Sequence, residues 1–98
     1  MIVFMAYSDI LADIRVRFKS GATSATLKGQ ISKKVCFIAG ASQGQSMDAI
    51  VSGGNNKVVF EEGLFWNMSW KIDRSGDKRF CIINNGSQST YEMTVHIE

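Results

Sequence analysis

The stretch that decides the fold is "LFWNMSWKI", residues 64–72. Large apolar side chains occupy every even position of this stretch, and the odd positions after Phe65 are polar. A period of two is the pattern of a half-buried strand, because successive side chains of a strand point to opposite faces. The stretch therefore predicts a strand with Trp66, Met68 and Trp70 in the core, and with Phe65, of opposite parity, exposed.

Two further segments alternate in the same way: "DIRVRFK" at 13–19 and "TYEMTVHIE" at 90–98. Segments rich in Gly and Asn, the residues that tight turns favour, separate the strands; they are "KSGATS", "SGGNN", "DRSGD" and "NNGSQS". Strands at this short spacing predict an all-β antiparallel sandwich, jelly-roll or Ig-like, of about seven to eight strands. Residues 1–98 are expected to form one domain. Only for the segment "AYSDILADI", at 6–14, is a helix a plausible alternative to β structure.

The composition excludes several classes of function. With 45% hydrophobic and 20% charged residues the chain is typical of a globular domain, and a net charge of +2 argues against a nucleic-acid partner. No apolar run is long enough to span a membrane, and no cofactor motif is present. The first residues lack the basic start and cleavage site of a signal peptide. We therefore expect a cytoplasmic protein unless the natural chain is trimmed; the localisation is otherwise open.

The two cysteines, Cys36 and Cys81, lie far apart without the spacing of a zinc site, so no metal is predicted. Each shares its strand parity with a basic residue, Lys34 or Arg79, off the main apolar face. A disulfide can form if the two strands pair, and reduced thiols are equally compatible with the sequence. In keeping with a cytoplasmic chain, we expect free thiols.

The stretch "GASQG", at 40–44, matches the G-x-S-x-G nucleophile elbow of serine hydrolases. Ser42 is the candidate nucleophile, and Asp73 or Asp77 with His96 keeps the order of the catalytic triad. An elbow requires a strand that turns into a helix above a large parallel sheet. The following "QSMDAIV" allows at most two helical turns. A small serine hydrolase that uses Ser42 is therefore the least favoured function.

The candidate contact residues lie elsewhere. Arg15, Arg17 and Lys19 share one face of the first predicted strand at intervals of about 7 Å. Such a basic stripe meets phosphates, acidic glycans or an acidic protein, or it is simply a solvated outer face. Together with the exposed Phe65, these three residues form the predicted binding site.

The second half of the chain, from Gly53 on, resembles the GOLD (Golgi dynamics) domain of secretory-pathway cargo receptors and some lipid-binding proteins. Residues 54–61 resemble its "P-x-G-K-x-x-Y-E" hairpin, and residues 94–97 its closing "V-x-F-x-I" strand. The "G-x-Y-x-F-C-F-x-N" element is matched by Gly76, Phe80, Cys81 and Asn84. The resemblance implies a β-sandwich without catalysis that binds proteins or lipids.

The sequence therefore predicts a non-enzymatic interaction module that recognises a protein partner. The alternative is a lectin-like or lipid-binding sandwich, in which aromatic side chains stack on a glycan or lie against lipid head groups. Homo-oligomers through open sheet edges are a further expectation.

Overall fold

The computed structural model describes residues 13–98; most of the segment with the helical alternative, residues 6–12, lies outside them. Within residues 13–98 no helix is long and apolar enough to cross a membrane. The strands are β1 Ile14–Arg15, β2 Ser24–Ile31, β3 Lys34–Ala41, β4 Ser46–Gly53, β5 Val58–Phe60, β6 Asn67–Lys71, β7 Gly76–Asn84 and β8 Ser89–Ile97, with a 3₁₀ turn at Gly54–Asn56.

Two four-stranded sheets pack against each other. Sheet A has the order β1-β3-β7-β5, and sheet B has the order β2-β8-β4-β6. The predicted all-β sandwich of seven to eight strands is confirmed. One pairing departs from the expected antiparallel pattern, because β1 runs parallel to β3 with Ile14 opposite Phe37. Residues 45–51, which allowed a short helix, lie mostly in strand β4.

The core lies between the sheets and is built from alternate residues of each strand. In β8 the inner positions are Tyr91, Met93, Val95 and Ile97, none of them more than 7% exposed. Phe37 of sheet A is fully buried, and its ring lies 5.9 Å from that of Tyr91 across the sandwich. The period of two predicted for residues 90–98 is thus the period of burial.

The cysteines are joined by a disulfide. Strands β3 and β7 pair with Cys36 directly opposite Cys81, and the Cα atoms are 4.0 Å apart. The expectation of free thiols is wrong, because the register places the two sulfurs side by side on the outer face of sheet A. The alternative that the sequence left open, a disulfide between paired strands, is confirmed.

Candidate functional site

Large apolar side chains are exposed together on the loop between β5 and β6. Leu64, Phe65 and Trp66 are 64%, 53% and 51% exposed. Ile50, which is 50% exposed, lies opposite Asn67 on the outer face of sheet B. We call Leu64, Phe65 and Trp66 the apolar cluster. Contiguous exposed apolar groups mark contacts with proteins, membranes or ligands, whereas singly scattered ones are ordinary.

Backbone hydrogen bonds hold this loop at both ends. The Phe60 N–H donates to the Phe65 carbonyl over 2.8 Å, and the Val51 N–H donates to the Trp66 carbonyl over 2.9 Å. Leu64 lies within the segment from Phe60 to Phe65 that the first bond closes, and its φ of 52° is in the left-handed region. The rings of Phe65 and Trp66 are 5.5 Å apart. Because the backbone is already ordered, a partner that binds here loses less affinity to the cost of ordering a free loop.

The prediction that Trp66 is a core residue is wrong. Strand β6 begins one residue later, so the alternation that predicts burial does not reach Trp66. Met68 and Trp70 do pack against the core, although both are only half-buried, and Trp70 meets Phe80 edge-on with 5.9 Å between ring centroids. The predicted exposure of Phe65 is confirmed. Its role in binding stays a prediction.

Sequence reasoning missed Trp66, Leu64 and Ile50 as surface residues. A signal for the first two was present in "EEG", residues 61–63, where two carboxylates and a turn glycine stand just before the apolar residues. These residues place a turn, and not a strand, ahead of Leu64. For Ile50 no local signal exists, because only the register of β4 shows that it lies on the outer face of sheet B.

The basic stripe is only partly available to a partner. Arg15 donates two hydrogen bonds to the Asp77 carboxylate, Nη1 to Oδ1 over 2.9 Å and Nη2 to Oδ2 over 2.8 Å. These bonds lower the pKa of Asp77 and raise that of Arg15. Arg17 and Lys19 are exposed after β1 and form no ion pair with another residue of the described range. The binding role of Arg15, Arg17 and Lys19 stays a prediction.

Ser42 lies in the exposed turn that joins β3 to β4. Its N–H donates to Oε1 of Gln45 over 2.7 Å, and the Gln45 N–H donates back to the Ser42 carbonyl over 3.1 Å. The chain then enters β4 at Ser46, so the helix that a nucleophile elbow requires does not follow. The G-x-S-x-G match is a β-turn that connects β3 of sheet A to β4 of sheet B.

His96 forms its hydrogen bonds away from Ser42. Its Nδ1 lies 2.9 Å from Oγ of Ser24, and its Nε2 lies 2.7 Å from Oε1 of Glu98. Hydroxyl, imidazole and carboxylate are the groups of a hydrolase triad. Here they lie on the outer face of sheet B, where both Ser24 and Glu98 are exposed. An enclosed site that excludes water, which such chemistry depends on, is missing around these three residues.

We expect a fluorophosphonate probe to leave the protein unlabelled, because neither Ser42 nor Ser24 lies in a site that activates a nucleophile. Intact-mass spectrometry after incubation measures the labelling. Ser42→Ala and Ser24→Ala are the matched variants. Stoichiometric labelling that disappears in one of them would identify that serine as a nucleophile and contradict a non-enzymatic function.

Other ligand classes find weak support in the described part of the chain. No group of three or more His, Cys, Asp or Glu side chains in residues 13–98 could hold a metal ion. A groove of about 560 Å³ crosses sheet B, and its side walls include Lys28, Gln30 and Glu92. Tyr91, the aromatic residue of its lining, is 5% exposed and packs in the core. The groove thus offers no ring on which a sugar stacks.

Comparisons with known proteins identify the fold. No family model matches the chain, and no curated protein matches it. Among solved structures, it is similar to PliG of Aeromonas hydrophila, a periplasmic inhibitor of g-type lysozyme, with a TM-score of 0.68 and 21% identity over 88% of this chain and 96% of that one. Salmonella Typhimurium PliG, also a periplasmic inhibitor of g-type lysozyme, gives a TM-score of 0.65 and 16% identity over 88% and 97% of the two chains.

A mutant of Escherichia coli PliG, another periplasmic inhibitor of g-type lysozyme, gives the same TM-score of 0.65, with 16% identity over 88% of this chain and 97% of that one. At such identities the similarity shows a shared fold. The resemblance to the GOLD family is tested by none of these comparisons and stays a prediction.

Proposed function

We propose that this protein is a non-enzymatic binding module whose partner is a lysozyme, which it inhibits. The observation that carries the proposal is the apolar cluster, whose three members are exposed by more than half on an ordered loop. Binding energy at protein interfaces is concentrated in a few large side chains, with Trp prominent among them. Trp66 at the edge of sheet B is the expected anchor, with Phe65 packed beside it.

A second line of support comes from the fold. The similar structures are inhibitors of g-type lysozyme, and they share the sandwich over nearly their whole length. A shared fold by itself does not imply a shared function. The choice of a lysozyme therefore rests on this analogy, whereas the choice of a protein partner rests on the exposed side chains.

The disulfide bears on where the protein works. Disulfides persist in oxidising compartments such as the bacterial periplasm and are rare in the cytosol. The Cys36–Cys81 bond thus supports an exported protein, as do the similar structures, which are periplasmic proteins. We propose the periplasm in place of the cytoplasmic location expected from the first residues.

The test is inhibition of purified g-type lysozyme, followed as clearing of a peptidoglycan suspension. We expect inhibition by the unaltered protein and at least a 30-fold weaker effect from Trp66→Ala, since truncating a hot-spot residue costs about 2 kcal/mol or more. Arg74→Ala removes an exposed charge in the turn after β6, at the end of that strand remote from Trp66, and is the control; its inhibition constant should change little. Lysozymes of other types measure the selectivity.

Two results would contradict the proposal. Absence of any effect on g-type and other lysozymes would remove the lysozyme as the partner. Full inhibition by Trp66→Ala, with a melting temperature equal to that of the unaltered protein, would show that the contact surface lies elsewhere on the sandwich.

A further inference from the structure

In the described part of the chain, strand β2 is an edge strand of sheet B. It pairs with β8 on one side, through eight consecutive residue pairs from Ser24 opposite His96 to Ile31 opposite Ser89. On its other side, no strand of the described residues pairs with it. The other edge strands are much shorter, with two residues in β1, three in β5 and five in β6.

Natural proteins protect such edges with short strands, bulges, prolines or charges. The register of β2 with β8 is unbroken, so no bulge interrupts it, and the chain contains no proline. Lys28 is the only charged residue of the strand, and it lies 4.0 Å from Glu92 of β8. A regular edge of this length is a template for another strand.

The free edge presents the backbone groups of alternate residues. The Ile97 N–H donates to the Thr23 carbonyl over 2.9 Å, so Thr23 and Ile97 form a hydrogen-bonded pair. In an antiparallel ladder such pairs alternate with pairs that exchange no hydrogen bonds. The even residues of β2 therefore direct their N–H and C=O groups away from β8; they are Ser24, Thr26, Lys28 and Gln30.

We propose that a second copy of this chain occupies this edge, with the two β2 strands antiparallel about a two-fold axis at Leu27. In this register Ser24 pairs with Gln30 of the second copy, and Thr26 pairs with Lys28. Every free backbone group of the four even residues is then satisfied, in eight hydrogen bonds. If the two-fold axis lay at Lys28 instead, Lys28 would face Lys28 of the second copy. Like charges directly opposite each other are destabilising.

The same register suits the inner face. Leu27, half-buried against the core, would meet Leu27 of the second copy at the axis. The two β6 strands would stand at the far ends of a continuous eight-stranded sheet, on the order of 30 Å apart at a strand spacing of about 4.8 Å. Both apolar clusters would remain uncovered, so the dimer presents two equivalent contact surfaces.

Sedimentation equilibrium of the full chain, from micromolar to millimolar concentration, tests the proposal. We expect a mass that approaches twice the 10.8 kDa of one chain. Thr26→Pro removes an N–H that faces the free edge and leaves the backbone hydrogen bonds to β8 in place, so it should abolish the dimer. It also removes the hydrogen bond between the Thr26 and Thr94 hydroxyls, which lie 3.0 Å apart. Thr26→Val keeps this N–H and is the matched control, with a dissociation constant within about threefold of the unaltered value.

Two further variants test the register without altering the backbone. Thr26→Lys places like charges opposite Lys28 at two symmetric positions and should weaken the dimer roughly 2- to 30-fold. Thr26→Glu places opposite charges there and should tighten it. A monomer at every concentration overturns the proposal, as does a dimer that a folded Thr26→Pro still forms. Lys and Glu variants that shift the dissociation constant in the same direction would overturn the register.

Discussion

Replacing Cys36 and Cys81 together with alanine is expected to lower the free energy of unfolding by about 4 kcal/mol. The disulfide links residues 45 positions apart, so its loss restores to the unfolded chain many conformations that the closed loop forbids. The total free energy of unfolding of natural domains is about 5–15 kcal/mol. The variant should therefore unfold at a much lower urea concentration, which circular dichroism at increasing urea measures.

Reductant provides the control for this experiment. The unaltered protein, reduced and verified by thiol counting under denaturing conditions, should unfold close to the midpoint of the double variant. The double variant itself should unfold identically with and without reductant. If the reduced and oxidised forms of the unaltered protein shared one midpoint, the disulfide would contribute nothing to stability.

Trp70→Ala is expected to lower the free energy of unfolding by about 3 kcal/mol, the lower end for truncation of a buried Trp because this ring is only half-buried. The change removes the edge-on contact with Phe80 and leaves a cavity beside the core. In a domain of this length the melting temperature should fall by roughly 12–24 °C. Thermal unfolding followed by circular dichroism measures it.

Trp66→Ala is the matched control, because it makes the same chemical change four residues away. The side chain of Trp66 is 51% exposed, so its truncation should cost no more than about 1 kcal/mol. The two tryptophans should thus separate stability from binding: Trp70→Ala unfolds readily, and Trp66→Ala loses its partner. A stable Trp70→Ala protein that fails to bind would reverse these assignments.

Much of the fold could be predicted, because alternation is a local property. Residues 90–98 alternate along their full length, and Tyr91, Met93 and Val95 are buried as the parity requires. The same parity placed Cys36 and Cys81 away from the apolar face. The rule failed where an element ends: a period of two in 64–72 cannot show that the strand begins at Asn67.

The candidate site could be predicted only in part. The exposure of Phe65 could be predicted because its parity is opposite to that of its apolar neighbours. Trp66 was missed because its exposure depends on the turn that precedes β6. Ile50 was missed because only the register of β4 places it on the outer face of sheet B. The charge of Arg15 is engaged by Asp77, 62 residues later in the chain, which no local pattern reveals.

The sequence by itself determined that this chain is a β-sandwich and which face of most strands is buried, since side-chain direction in a strand follows from the backbone geometry of neighbouring residues. Only the tertiary structure decided the strand order, the parallel pairing of β1, the disulfide and the open edge of β2. Each of these depends on which distant strands pair and in which register. That choice is made by the packing of the whole core, because a strand's own residues are compatible with many partners.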